Sequence, residues 1–259
     1  MKTITLFYSY GMGGWGDLVK GLHTVWCWSK VLDRGLQLHL HNHILSTMFP
    51  QHSHQITTVE LDTLDHVGEA TVADLKQFES LDNITVTCNW FSTKSVESID
   101  YKRFYQELYT TWFPLRLSVE IPPTFHVLHC RLGDKYLKGD NRIGSITRLK
   151  QVVDDYNRLG HEHTLVCGDY APISKELLKT VKGAFTICQT PYHIGYKSPT
   201  GLNHTADIDL MIQEHQAISM AKTITMISYS AFPITAGRIK SVPLFLYTEG
   251  ERSPYEDTY

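Results

Sequence analysis

Strand-like and helix-like segments trade places along almost the whole chain, and this alternation constrains the fold more than any single motif. Residues 3–10, TITLFYSY, are β-branched and aromatic and stop at glycines, which marks a strand meeting a turn. From Asp17 the apolar positions Leu18, Val19, Leu22, Val25, Trp26 and Leu32 fall at helical spacing, with Asp17 placed to cap the first turn. A strand near 36–42, a helix near 70–80, a strand at 83–88 and a helix near 100–112 follow. The stretch FPLRLSVEIPP (113–123) closes on two prolines, which continue neither a helix nor a central strand, so domains are expected at 1–118 and 119–259. The rhythm then restarts with a strand at 125–131, a helix at 145–159 ended by Gly160, a strand at 163–169 and a helix near 173–181. AFTIC reads as strand, 207–221 as helix, TITMIS (223–228) as strand, then a short helix and PLFLY (243–247) as strand. The polar last ten residues, GERSPYEDTY, are expected to fray. Repeated β–α units predict an α/β fold of parallel sheets sandwiched by helices.

The 259 residues suffice for one large or two small α/β domains, and 42% apolar with 20% charged residues is ordinary globular composition. A net charge of −3 provides no global basic field, which argues against wholesale nucleic-acid or anionic-membrane binding. Cys27, Cys88, Cys130, Cys167 and Cys188 form no CxxC pair and read as reduced, buried thiols. No apolar run is long enough to span a membrane, and the opening MKTITLFYSYGMGG lacks the long apolar core of a signal peptide. A cytoplasmic protein is expected.

GMGGWGDL (11–18) satisfies GxGxxG through Gly11, Gly13 and Gly16, directly after a strand and before a helix. Such glycines let backbone N–H groups approach a diphosphate or sugar at a helix N-terminus. The plainer reading is a tight turn with no ligand. A dinucleotide enzyme also needs an acid about 20 residues on, where this chain has LHLHNH. A P-loop needs Lys and Ser/Thr after the last glycine, where Asp17 and Leu18 stand.

The segment HVLHCRLGDKY (126–136) turns from an apolar run into His129, Arg131 and Asp134. In doubly wound sheets ligands sit outside the carboxyl ends of strands. Alternation places Val127, His129 and Arg131 on one face and Leu128 and Cys130 on the other, so His129 and Arg131 can converge on one ligand. An arginine fork there suits a phosphate. Asp134 can orient Arg131 or bind a ligand hydroxyl; a structural Arg131–Asp134 ion pair is the plainer alternative.

HCRLGD resembles the H-x-R-x-G-D segment of the fucosyltransferases that make α1,2, α1,6 and protein O-linked linkages, and GWGDLVKGL resembles their N-terminal glycine loop. AKTITMISYSAFPITAGRI (221–239) is similar to that family's strand ending in Ser-x-Phe before a helix, with Ser230 and Phe232 in the corresponding places. The resemblance implies a GT-B fold, two Rossmann-like domains facing across a cleft, the first on the acceptor side and the second holding the donor. It implies an inverting transfer of fucose from GDP-fucose to a glycan hydroxyl with no catalytic metal or other cofactor. Carried over, Arg131 contacts the donor diphosphate and stabilises departing GDP, His129 lines the nucleotide site, and Ser230 with the backbone at Phe232 binds phosphate, with Ala231 between them in the donor site; Asp134 either tethers Arg131 or touches the donor. Gly13, Gly14, Trp15 and Gly16 close over the donor. Leu132 stands where many relatives carry a second arginine, which the protein O-fucosylating branch also lacks. Asp17 replaces the frequent Asn and is the nearest candidate for a base, beside its capping role. Glu214 falls roughly where relatives carry an acid.

Asp169, at the end of another strand in CGDY, can hold the donor's base or ribose or merely start a turn. His39, His41 and His43 share a strand face, which reads as solvated surface before it reads as a zinc site. Trp26, Trp28, Trp90 and Trp112 read as core or domain interface. Three alternatives stand beside the fucosyltransferase: a transferase of another nucleotide sugar, an NAD-dependent oxidoreductase using GxGxxG, and a nucleotide-sugar sensor without transfer.

Overall fold

Inward-pointing Ile4, Leu6 and Tyr8 alternate with Thr3, Thr5 and Phe7 along β1 (Thr3–Ser9), and this period of two decides which face of the first sheet carries a helix. The structure, a computed structural model, describes residues 2–52, 79–89, 101–114, 117–131, 149–188, 205–248 and 251–256. The chain divides into two compact units that part between Phe113 and Pro114. Among the described residues no helix is long and apolar enough to cross a membrane.

In the first unit β1 lies between β2 (Gly35–His41) and β3 (Asn83–Val86), both parallel to it. Helix α1 (Trp15–Val31) packs on β1 and is buried over most of its length, because helix α2 (Tyr101–Glu107) and the π turn Leu108–Trp112 bring aromatic rings to it. Phe104 meets Trp26 and His23 edge-on at 5.6 and 5.0 Å, and Phe113 meets Trp15 at 4.8 Å. The helix expected at 70–80 and Trp90 lie outside the described residues.

The histidine face is not the solvated surface expected from its spacing. His39 is buried, with Phe7 stacked against both it and exposed His41, while His43 falls beyond the strand end and packs, buried, on Tyr8 and Tyr10. Spacing reports which residues share a face, but a neighbouring aromatic decides whether that face is wet. Among the described residues no group of three or more His, Cys, Asp or Glu side chains is arranged to hold a metal ion.

Buried Arg34 fastens the amino ends of β1 and β3. Its Nη1 donates to the carbonyls of Thr3 (3.3 Å) and Asp82 (3.2 Å), and its Nη2 to those of Glu79 (3.4 Å) and Leu81 (2.6 Å). Arg34→Met leaves these carbonyls without their charged donor and should destabilise the first unit by about 2 kcal/mol. Arg34→Lys should recover part of that, since an ammonium lacks the planar fork. All five tryptophans precede Pro114, so the urea midpoint of tryptophan emission reads this unit.

The second unit holds a six-stranded sheet of order β6-β5-β4-β7-β8-β9, formed by β4 (His126–Cys130), β5 (Thr164–Gly168), β6 (Ala184–Phe185), β7 (Ile224–Met226), β8 (Leu244–Thr248) and β9 (Glu251–Pro254). All pairings are parallel except β8 with β9. The helices are α3 (Leu149–Arg158), α4 (Ala171–Thr180), α5 (Thr205–Ile218) and α6 (Ala231–Arg238). One face of β4, through Leu128 and Cys130, joins a core with Val152, Val153 and Tyr156 of α3 and Leu177 of α4. The other, through Val127, joins Ala217 and Ile218 of α5 and Ile234 and Ala236 of α6.

The expectation of a frayed C-terminus is wrong at residues 251–254, which form β9. Its polar side chains disguise a strand held by its partner. Arg252 lies over the Phe245 ring, 3.4 Å from the centroid, and its Nε donates to Thr225 Oγ1 at 3.2 Å, while the Tyr255 N–H reaches the Leu244 carbonyl at 2.9 Å.

Candidate functional site

Strand order reverses at β4. Its sequence successors β5 and β6 lie on one side and β7, β8 and β9 on the other, so the carboxyl ends of β4 and β7 flank the topological switch point where such sheets bind ligands. Arg131 is the first residue after β4. Its main chain is fastened by one hydroxyl: the Arg131 N–H donates to Ser228 Oγ (3.0 Å), and that hydroxyl donates to the Arg131 carbonyl (2.5 Å). With the Ile227 N–H to His129 carbonyl bond at 2.8 Å, Ser228 carries the β4–β7 pairing one step past the ladder.

The Arg131 side chain meets Asp169, which follows β5, with Nε 3.7 Å from Oδ2. Both side chains are about one-fifth exposed, at 20% and 18%, so the pair is neither dry nor fully screened and can still receive a ligand anion. Gly168 brings the two strand ends this close. A Cβ there would fall 2.3 Å from the Cys130 carbonyl oxygen, so any side chain would push β5, and Asp169 with it, away from Arg131.

His129 lies on the Arg131 face, buried, with Nδ1 lacking a hydrogen-bond partner among the described residues. Burial drives its imidazole down to about 4; Asp169 pulls upward against this and Arg131 adds to the fall. The ring is neutral at physiological pH and stands 6.2 Å from the Phe232 ring. Phe232, half-buried, belongs to the first turn of α6. Ser230 is that helix's N-cap residue, in extended conformation, and its side chain makes no capping hydrogen bond. Buried Ala231 opens the helix.

His129, Arg131, Asp169, Ser230, Ala231 and Phe232 therefore converge at one end of the second sheet. Asp134 lies outside the described residues. Sequence reasoning missed Ser228 and Gly168. Ser228 is signalled only by a hydroxyl two residues before Ser230, and Gly168 only by a glycine directly before Asp169.

Gly13, Gly14, Trp15, Gly16 and Asp17 form a separate, self-contained turn in the first unit. Helix α1 starts at Trp15, two residues before Asp17, so Asp17 caps from inside the first turn: the Gly14 N–H donates to its Oδ2 at 3.0 Å. Its Oδ1 pairs with Lys20 at 3.5 Å. Gly13, at φ +121°, leaves room for this carboxylate, since a Cβ would stand 2.4 Å from Oδ2. Tyr8 Oη donates to the Gly14 carbonyl (3.2 Å) and Asn89 Nδ2 to that of Met12 (2.9 Å), tying the loop to residues of and after the flanking strands. Trp15 and Gly16 are buried. Glu214 is buried on α5, where the Cys188 N–H donates to its Oε1 at 3.2 Å and burial pushes its carboxyl up to about 8.

The chain has the α/β glycosyltransferase fold of GT-B type. Among solved structures it is similar to the α-1,6-fucosyltransferase NodZ soaked with GDP-fucose, with a TM-score of 0.53 at 11% identity over 99% of this chain and 100% of that one. It is similar to fucosyltransferase NodZ from Bradyrhizobium, at 0.51 and 11% over 99% of each chain, and to POFUT1 in complex with GDP-fucose, at 0.50 and 11% over 95% and 98%. No protein-family model and no curated protein sequence matches the chain.

Proposed function

We propose that this protein is an inverting fucosyltransferase that moves fucose from GDP-fucose to a glycan hydroxyl. The observation that carries the reading is Arg131, held at the switch point by Ser228 and Asp169 beside the N-terminus of α6. A fold like those of NodZ and POFUT1, solved with GDP-fucose, supports the choice of donor.

The second unit takes the donor. As the bond from fucose to the β-phosphate oxygen breaks, the sugar becomes oxocarbenium-like and negative charge grows on the leaving diphosphate. A cation already in place stabilises that state more than the ground state. Arg131 has this role, and Asp169 orients its guanidinium. The first-turn N–H groups of α6 and the Ser230 hydroxyl offer donors to phosphate oxygens. Neutral His129 lines the nucleotide without adding repulsion to Arg131. The acceptor side falls to the first unit. Asp17 has both carboxylate oxygens engaged by Gly14 and Lys20, which favours the capping role over that of a base.

The test is thermal stabilisation by a panel of nucleotides. GDP and GDP-fucose at 100 times Kd should stabilise the protein by about 2.7 kcal/mol, while UDP, ADP and NAD should do little. A UDP-selective shift would mean another donor sugar, an NAD shift would favour the redox reading, and no shift with either guanine nucleotide overturns the proposal.

A further inference from the structure

His215, which no motif singled out, lies fully buried on α5 and reaches across to α6. Its Nε2 is 2.9 Å from Thr235 Oγ1. That hydroxyl is also 2.8 Å from the Ala231 carbonyl oxygen and 3.0 Å from that of Phe232. A hydroxyl has one proton, and carbonyls only accept, so the proton goes to the carbonyls and the ring must donate through Nε2–H. The His215 ring packs edge-on against the Phe232 ring at 4.9 Å, and His129 stands 6.2 Å from the same ring.

Through the Thr235 hydroxyl and the Phe232 ring these contacts bear on the first turn of α6, which follows Ser230 and presents Ala231 and Phe232. We infer that His215, acting through Thr235, is a positioning residue that sets the aim of the α6 N-terminus at the nucleotide's diphosphate. The inference rests on the function proposed above and extends it to a residue that touches no substrate. A short helix whose first-turn donors serve a ligand lacks a side-chain cap to hold that turn, and His215 and Thr235 supply the restraint from behind.

The experiment measures GDP affinity by calorimetry, well below the unfolding temperature, on the full chain and three variants. His215→Leu and Thr235→Val should each weaken GDP about tenfold, the scale of one lost hydrogen bond at a shared restraint. His215→Gln, which keeps an N–H donor near the Nε2 position, should stay within about threefold of the parent by the same bond count. A purely structural role would lower the unfolding temperature and leave GDP affinity unchanged; that result overturns the inference, as does a Gln variant as impaired as the Leu variant. If His215→Leu fails to fold, near-isosteric Thr235→Val decides by the same readout. If the unaltered chain binds no GDP, the proposed function itself fails and takes this inference with it.

Discussion

Arg131→Ala is expected to leave a folded protein whose transfer of fucose is slowed by roughly 30- to 1,000-fold, a loss of about 2–4 kcal/mol of transition-state stabilisation. The fold should survive because the bonds that close the β4–β7 junction use the Arg131 main chain, not its side chain. GDP affinity should fall less than kcat, since the growing charge on the leaving diphosphate exists fully only past the ground state. Arg131→Lys should lie between, because it keeps the charge and loses the fork. Steady-state kinetics with GDP-fucose, beside GDP titrations, separate these effects. Near-normal turnover by a folded Arg131→Ala variant would remove this residue from the mechanism.

The stability of the second unit is expected to peak near pH 7 and to fall steeply in mild acid. Burial holds His129 and His161 at about 4 and His215 at about 3 in the folded protein, against about 6.5 in the unfolded chain. Secondary causes differ. Asp169 opposes the fall at His129 while Arg131 adds to it; His126, stacked 3.5 Å from His161, adds to the fall there, as does Arg252. Below pH 6.5 the unfolded chain takes up protons that the folded state refuses, so stability drops with falling pH. Glu214 acts in the opposite sense: its folded value of about 8 makes the folded state hold a proton that the unfolded chain loses above about 4.5, so this contribution shrinks as pH rises. Between pH 6.5 and 4.5 the three histidines outweigh the one carboxyl by two protons, and the net loss is on the order of 4 kcal/mol. Above pH 7 Glu214 dominates and the decline is shallow. Glu214→Gln should abolish that alkaline decline and steepen the acid limb. The second unit has no tryptophan, so amide exchange in β4 and β7 across pH 4.5–8.5 is the measurement. A flat profile over that range would mean these groups are hydrated in the folded state.

Several features needed no tertiary information. The strand–glycine–helix opening, the α/β alternation and the face shared by Val127, His129 and Arg131 follow from local periodicity, because side chains alternate with period two in any strand. The position of Arg131 after an apolar run marked a strand's carboxyl end, where ligand sites lie. Whether that strand was central or at an edge was invisible, since it depends on β5 and β7 pairing on opposite sides of β4. The β9 strand is illegible in the sequence for the same reason: its polar side chains acquire their partners only when Phe245 and Thr225 arrive beside Arg252.

Sequence by itself therefore determined the layered α/β class, the burial of the five cysteines and the arginine that anchors the candidate site. Tertiary structure alone decided what surrounds that arginine. Ser228 and Asp169 reach it from strands 97 and 38 residues further along the chain, and His215 reaches the α6 N-terminus from another helix. Hydrogen bonds of this kind depend on distances of about 3 Å between segments whose separation in sequence has no fixed relation to their separation in space. A periodic pattern says which way a side chain points, and only the closed fold says what it meets.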